Sequence, residues 1–507
     1  MADQASFTEV MMTILARPET PAPSIDSSLP PAKGAAALAL AVLADWLFYD
    51  QRLGISVTIF AATLACASLA ANLQSLDRRR LLLAGSILLA GLLPAMEDVN
   101  AISLTLLVLA LGVALTLTTN PYITGLARGA ASLLDLFLVG PFRLGRDFVS
   151  AFNLPAVTRG FALWLVPLVL GSLFVVLFVA ANPLLEKWIS QLNPGNPASY
   201  LSIGRTLFWI VSLALVWPFI HARWRRSPIA MAGESLSPAN HQAEPASAMD
   251  FFGTGTILRS LILFNLLFAV QTILDAVYLW GNVALPADIT YAAYAHRGAY
   301  PLIVTALLAA GFVLVAMRPG GPAEQSRVIR PLVYVWVGQN LLLVISSMLR
   351  LDLYVQFYLL TYWRIAAFVW MLLVAVGLVL ILARIALRRP NQWLIHANLL
   401  ALTMVLYVCS LINFAAIIAD YNVSHSREAA GSGVNLDINY LFRLGPQALP
   451  AIDRAIRLRY VNPVLVSRRD CLVEQQRQQM ASWRGWGFRA WRLQRFLDGR
   501  ETRAAAS

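Results

Sequence analysis

From residue 35 to residue 418 the chain repeats one pattern: an apolar run of roughly 15–25 residues, then a short polar connection that most often carries Arg. A helix of that length crosses a hydrocarbon layer about 30 Å thick. Lipid offers no hydrogen bonds, so an exposed spanning segment must satisfy its own backbone N–H and C=O groups, and for a single run the helix does so. The pattern predicts an all-α polytopic transmembrane bundle of about eleven spans. At 58% hydrophobic and 13% charged residues the chain is too apolar for a soluble multi-domain protein, whose charged share is about 25%.

The expected spans are 34–49, 55–73, 81–96, 101–119, 161–183, 203–220, 257–280, 300–317, 331–349, 365–386 and 393–418. The net charge of +12 belongs mostly to short connections, where positive charge sets orientation in a membrane. No nucleic-acid partner is expected; the lipid bilayer and its anionic headgroups are. With the N-terminus inside, the cytoplasmic connections carry fifteen cationic residues: Arg78, Arg79, Arg80, Arg128, Arg143, Arg146, Arg159, Arg223, Arg225, Arg226, Arg318, Arg327, Arg330, Arg388 and Arg389. The opposite connections carry five, Arg52, Lys187, Arg297, Arg350 and Arg364. That bias predicts a cytoplasmic N-terminus and, after an odd number of spans, a periplasmic C-terminus. Lys occurs only at 33 and 187, a preference for Arg that points to a bacterial source and hence to an inner membrane.

Composition divides the chain further. Residues 1–33 form a mobile cytoplasmic N-terminus rich in Pro, Ser and Thr beyond Pro18. They lack a basic segment followed by an apolar one, so the first span is expected to act as an uncleaved signal. A first membrane group occupies 34–226, and within it residues 120–160 alternate Leu126, Leu133, Leu134, Phe137 and Leu138 with Arg128, Asp135, Arg143 and Arg146. That is the pattern of helices lying in a headgroup layer. Residues 227–250, with Pro228, Gly233, Pro238 and Pro245, form a cytoplasmic linker. A second membrane group covers 251–418, and 419–507 form a helical periplasmic tail in which Trp483, Trp486, Phe488, Trp491 and Phe496 interleave with Arg484, Arg489, Arg492 and Arg495. Such residues suit a headgroup-facing surface, or equally the tail's own core and its contact with the bundle.

An ionisable side chain in hydrocarbon is costly unless paired or wetted. Asp275, read as lying in the middle of the seventh span with Gln271 and Thr272 beside it, is therefore the most informative polar residue. Either it carries a substrate or proton, or it ties helices together through an Arg or Tyr partner. Gln339, Asn340, Ser346 and Ser347 in the ninth span are expected as glue. Two outer connections collect polar residues: His296 and Arg297 among Tyr291, Tyr294 and Tyr300, and Arg350, Asp352 and Arg364 among Tyr354, Tyr358 and Tyr362. Mixed Arg, Asp and Tyr can hold a phosphate or carboxylate, or close the rim of the bundle as an aromatic belt. Asp275, His296, Arg297, Arg350, Asp352 and Arg364 are the candidate ligand-binding residues.

Phosphate-loop, zinc-helix and nucleophile-elbow motifs are absent, and the histidines at 221, 241, 296, 396 and 425 are scattered. Cys66 and Cys409 lie in apolar runs and Cys471 in the tail, so neither a disulfide framework nor a cysteine zinc site is expected. No catalytic set, cofactor or metal is expected. Asn422-Val423-Ser424 has the form of a glycosylation triplet, an accidental match in a bacterial chain.

The run Tyr278-Leu279-Trp280-Gly281, then Thr290-Tyr291-Ala292 through Tyr294-Ala295 to Arg297-Gly298, continues in Arg350-Leu351-Asp352-Leu353-Tyr354, Leu360-Thr361 and Arg364. It resembles bacterial multi-pass membrane proteins grouped as domain of unknown function 4173, and related chains grouped under 4153 look similar. Asn422, Leu436-Asp437, Tyr440-Leu441, Gly445, Ala448-Leu449-Pro450, Trp483-Arg484 and Trp486 fit that family's outer appendage. The resemblance covers roughly residues 257–490; where the family has a Gly-Leu-Thr turn with an acidic neighbour, this chain has Leu359 and Tyr362. It implies an inner-membrane protein without an established activity and supplies no catalytic residues. The expected role is a non-enzymatic envelope scaffold, sensor or accessory subunit that meets an envelope protein partner through 419–507. The alternatives are a secondary transporter with a path past Asp275, or a membrane enzyme acting on a lipid-linked substrate at the outer rim.

Overall fold

The computed structural model describes residues 31–72, 77–120, 125–151, 203–222, 254–280, 305, 308, 311–312, 326–431, 433–457 and 463–506. Among them every regular element is helical. The first eleven helices are α1 (Pro31–Phe48), α2 (Ile55–Asn72), α3 (Arg78–Glu97), α4 (Ala101–Thr119), α5 (Leu126–Leu134), α6 (Gly140–Ala151), α7 (Ile203–Ile220), α8 (Thr254–Asp275), α9 (Ile329–Tyr358), α10 (Tyr362–Ala386) and α11 (Asn391–Leu411). The tail adds α12 (Phe414–Ser424), α13 (Arg427–Ala430), α14 (Ile438–Arg443), α15 (Leu449–Arg457), α16 (Pro463–Met480) and α17 (Phe488–Ala506).

Among the described residues seven helices, α2, α3, α4, α8, α9, α10 and α11, are long and apolar enough to cross a membrane. Their outward surfaces carry large apolar side chains, Leu82, Leu266 and Leu400 each more than 60% exposed. On helices long enough to span a bilayer, such a surface fits contact with lipid. The chain is a polytopic membrane protein. Helices α1 and α7 lie where two further spans are expected, while 161–183, and 300–317 but for four residues, fall outside the described set, as do 1–30 and the expected linker at 227–250.

The chain divides into two compact units, one of residues 1–49, 64–74 and 131–223, the other of 50–63, 75–130 and 224–507. In the first, α1 packs on α7 and α7 on α6. Arg205 donates to Asp45 from Nε at 2.9 Å. Ser68 and Asn72 both donate to the Phe219 carbonyl at 2.8 Å. Leu134, Leu138 and Phe142, spaced four apart, point outward, Phe142 at 80% exposure. Arg143, on the other face, is buried in an ion pair with Asp135, and Asp147 accepts from Trp217 Nε1 at 3.0 Å. Leu134, Leu138 and Phe142 thus form an outward apolar stripe, while Arg143 and Asp147 face inward and Arg128 and Arg146 are exposed.

In the second unit α3 and α4 form a tight hairpin. Asp77 caps α3 by accepting from the Arg79 N–H, and Asn100 with Ser103 forms a capping box at α4. Small residues set the contact: Gly91 lies so close to Ala110 that a Cβ would overlap it, the close backbone approach typical of membrane helix pairs. The spine of the unit is α9, 44% of whose most apolar window is buried against 11% for α8. Phe264 stacks on Trp336 at 5.1 Å, and Phe268 and Phe312 meet its edges at 5.9 and 5.5 Å. Helices α8 and α9 run parallel, since Asn265 reaches the Leu332 carbonyl and Asp275 reaches Arg350. Arg330 of α9 donates to the Ile385 carbonyl of α10 at 2.8 Å, so those two are antiparallel.

The expected last span, 393–418, breaks in two. Helix α11 ends at Leu411, and Asn413 starts α12 by accepting from the Ala416 N–H at 3.1 Å. Ile418, Ala419 and Val423 of α12 then join Leu441, Leu449, Ile452, Leu465, Leu472, Leu493 and Leu497 in the tail's own core. The tail docks on the chain between α1 and α2. Ile55 N–H donates to the Trp486 carbonyl at 2.6 Å, Gln479 Nε2 to the Leu53 carbonyl at 3.2 Å, and Arg52 to Gln478 at 2.8 Å.

Gly54 is packed so tightly that a Cβ there would overlap the backbone of Gly485 and Trp486. Gly54→Ala is expected to destabilise this contact by about 1–3 kcal/mol, the usual cost of overpacking. Limited proteolysis of the purified full chain should release tail fragments faster; an unchanged cleavage rate would refute the close approach.

Candidate functional site

Asp275 and Arg350, the strongest candidates from sequence, form a buried ion pair with side chains 2% and 4% exposed. Gln271, one turn before Asp275, donates to its Oδ1 at 2.9 Å. Asp275 stands twenty-one residues beyond Thr254, about 31 Å along the helix at 1.5 Å per residue. It therefore lies toward the far end of the span rather than at its middle, because the helix starts at Thr254 and passes through a π-helical segment, Ala276–Trp280. Arg350 is equally far along α9, which runs on to Tyr358 where the sequence places a connection. A carboxylate held by a guanidinium on one helix and an amide on its own is suited to joining two helices. The neighbouring glue residues bond within their own helix: Asn340 to the Trp336 carbonyl and Ser347 to the Leu343 carbonyl.

Arg364 and Asp352 serve the rim. The turn between α9 and α10 places Leu359 at φ 63°, ψ 178°, a region occupied almost solely by Gly and costing other residues about 1–3 kcal/mol. Five hydrogen bonds hold it there. Arg364 donates to the Tyr358 carbonyl at 2.6 Å and to that of Leu359, with its guanidinium 4.6 Å from the Tyr354 ring. Asn422 of α12 accepts from the Leu360 N–H at 2.7 Å and donates to the Leu360 carbonyl at 3.0 Å. Tyr440 Oη accepts from the Tyr362 N–H at 2.9 Å. Leu359 itself is buried. Asn422 is buried with both ends of its amide engaged, so the triplet it opens is a structural clamp. Asp352 accepts from Gln356 at 3.0 Å and its charge reaches Tyr421, whose hydroxyl is pushed above the ordinary tyrosine pKa by burial first and by Asp352 second.

A further centre had no local signal in the sequence. Arg489, 7% exposed, donates to the carbonyls of Ser410, Leu411 and Ile412 at 3.3–3.4 Å, capping the C-terminus of α11. The same guanidinium reaches Glu97 at 3.4 Å and Asp98 at 3.1 Å at the end of α3, and Arg492 also pairs with Glu97. A cation at two helix C-termini complements both dipoles and satisfies carbonyls left without helical partners. One side chain thus joins the tail to the ends of two membrane helices.

The six expected residues do not converge on one site. Asp275 and Arg350 meet, Asp352 and Arg364 serve separate rim contacts, and His296 and Arg297 lie outside the described residues. Among the described residues no cluster of His, Cys, Asp and Glu could hold a metal. An open cleft of about 480 Å³ lies along α12, between Asp420, Tyr421, Ser424 and His425 on one side and Gln447, Pro450 and Ala451 on the other. Its charged member, Asp420, is paired with Arg454.

A family model described as "Domain of unknown function (DUF4153)" matches residues 35–455. It extends the likeness seen in the second half back to α1. No curated protein and no solved structure matches the chain.

Breaking a buried pair from one side costs about 3–5 kcal/mol, whereas replacing both partners by apolar groups is often neutral. Asp275→Leu and Arg350→Met should each lower the melting temperature of the full chain in detergent, and the double variant should recover most of the loss. A double variant as unstable as the sum of the two would show that the pair does not act as a unit.

Proposed function

We propose, since the chain belongs to the DUF4153 family and is a polytopic membrane protein, that it is a non-enzymatic scaffold or accessory subunit that holds its tail rigidly for an envelope protein partner. The observation that carries this reading is the Arg489 centre: a buried arginine capping α11 and paired at the end of α3 serves positioning. Of the residues that an enzyme of the outer rim would use, Arg364 is taken up by backbone carbonyls and Arg350 by Asp275. Pairing of Asp275 likewise counts against a transport path through it.

The membrane is the bacterial inner membrane in this reading, with the N-terminus cytoplasmic and the tail periplasmic. Arg distribution supports it: in the second unit Arg78, Arg79 and Arg80 open α3, while Arg384, Arg388 and Arg389 close α10, the ends remote from the tail. The tail is itself rich in Arg, but folded extramembrane segments are not bound by the short-loop rule. Cys471 is exposed on α16. In a Cys66→Ser, Cys409→Ala background it should react with a membrane-impermeant maleimide on intact cells; labelling only after lysis would reverse the orientation.

Exposed Val464 on α16 offers a place to look for the partner. A photo-crosslinking residue placed there in living cells should give a discrete protein adduct, which Arg489→Ala should weaken while leaving the chain at its normal level in the membrane. Absence of an adduct at Val464 and at other exposed tail positions would sink the scaffold reading.

A further inference from the structure

We propose that the outward face of α17 binds the anionic phospholipid headgroups of the bilayer that the chain's own spans cross. The two faces of this helix differ sharply. Arg489, Leu493 and Leu497 are buried, and Arg500 on the same side pairs with Asp453. The opposite face carries Phe488, Trp491, Arg492, Arg495, Gly499 and Thr502, at offsets of 3, 4, 7, 11 and 14 residues from Phe488, one stripe along a helix of 3.6 residues per turn.

The stripe is built from stacked rings and guanidinium groups. Phe488 and Trp491 stack at 5.5 Å with planes 24° apart; Arg492 lies 4.8 Å from the first ring and Arg495 5.1 Å from the second. The preceding turn repeats the motif, with Arg484 5.5 Å from Trp483, a ring 49% exposed. Arg484 also donates to Gln51 at 3.2 Å and Arg492 pairs with Glu97, while exposed Arg495, its guanidinium lying on an aromatic face, keeps its N–H edge outward in the fork geometry that matches phosphate oxygens. Indole and phenyl rings beside it favour the boundary between headgroup and acyl chain. Of the acidic side chains nearby, Glu97 is taken by Arg489 and Arg492, and Asp498 at the edge of the stripe accepts from Gln494.

Position identifies the occupant as lipid. The root of α17 is fixed by Arg489 to the last residues of α3 and α11, both membrane-spanning, so the stripe begins where those helices leave the hydrocarbon. Exposed aromatics mark the same end of α9 and α10, where Asn422 and Tyr440 join the tail to their turn: Phe357, Tyr358, Tyr362 and Trp363, the last 87% exposed. Basic groups next to an aromatic belt complement a negatively charged surface. The proposal does not depend on whether the tail also holds a protein.

The test compares the full chain in nanodiscs of phosphatidylcholine with discs that also contain phosphatidylglycerol, by hydrogen–deuterium exchange. Peptides covering 483–500 should exchange several-fold more slowly in the anionic discs. Arg484→Gln with Arg495→Gln should remove most of that protection, since each arginine near an anionic surface contributes about five-fold in binding. Raising salt toward about 1 M should remove it as well. Peptides of the tail core around Leu465–Val473 serve as the folding control. Equal exchange in the two discs, or anionic-lipid protection that persists in the double variant, would overturn the proposal. So would protection insensitive to both lipid and salt, which would point to protein packing on this face.

Discussion

Hydrocarbon gives a polar group no partner, and the rest of this structure follows from that. Within the spans, side chains that could bond to water turn back on their own helix: Thr63 to the Ile59 carbonyl, Thr105 to Ala101, Asn340 to Trp336 and Ser347 to Leu343. The one described Asp–Arg pair between α8 and α9 is closed on itself, with Gln271 as a third member. Such groups supply cohesion between helices at low cost and leave little free chemistry in the bundle. Polar function is thereby displaced to the helix ends, where carbonyls without helical partners, dipole charge and water coexist.

At those ends the tail is bound through backbone as much as through side chains. Arg489 takes three carbonyls, Asn422 the N–H and the C=O of Leu360, and Trp486 accepts from Ile55. Bonds of this kind depend on where a helix stops rather than on which residues it contains. The result is an appendage fixed in register with α3, α9, α10 and α11.

The fold was legible in the sequence because lipid imposes a length on each apolar run, and α4, α8, α10 and the α3–α4 hairpin lie close to where that length puts them. The readings that changed are those where hydropathy and backbone part company. Ile412-Asn413-Phe414 is apolar enough to continue a span, yet Asn413 caps a new helix and sends Ile418 into the tail's core. Arg350 to Tyr358 looks like a connection because it is charged and aromatic, yet it stays helical since Arg350 faces inward to Asp275. Arg489 could not be singled out among the tail's arginines, because its partners lie 77 to 392 residues away. Asn422 and Tyr440 were visible only as part of a resemblance; their role as a clamp requires the turn at Leu360 to be seen.

Leu359 shows how these ends are kept. A residue with a Cβ in an almost exclusively glycine conformation opposes the turn by about 1–3 kcal/mol. Burial of a leucine side chain contributes about 1.5–3 kcal/mol in return, and Leu359 is 5% exposed. A glycine there would relieve the backbone and give up that burial, so the two choices are close in free energy and the turn persists with either. What decides its shape is the set of bonds around it, from Arg364 below and from Asn422 and Tyr440 in the tail. The turn joining α9 to α10 is therefore shaped jointly by α10 and the tail, which ties the rim of the membrane bundle to its appendage.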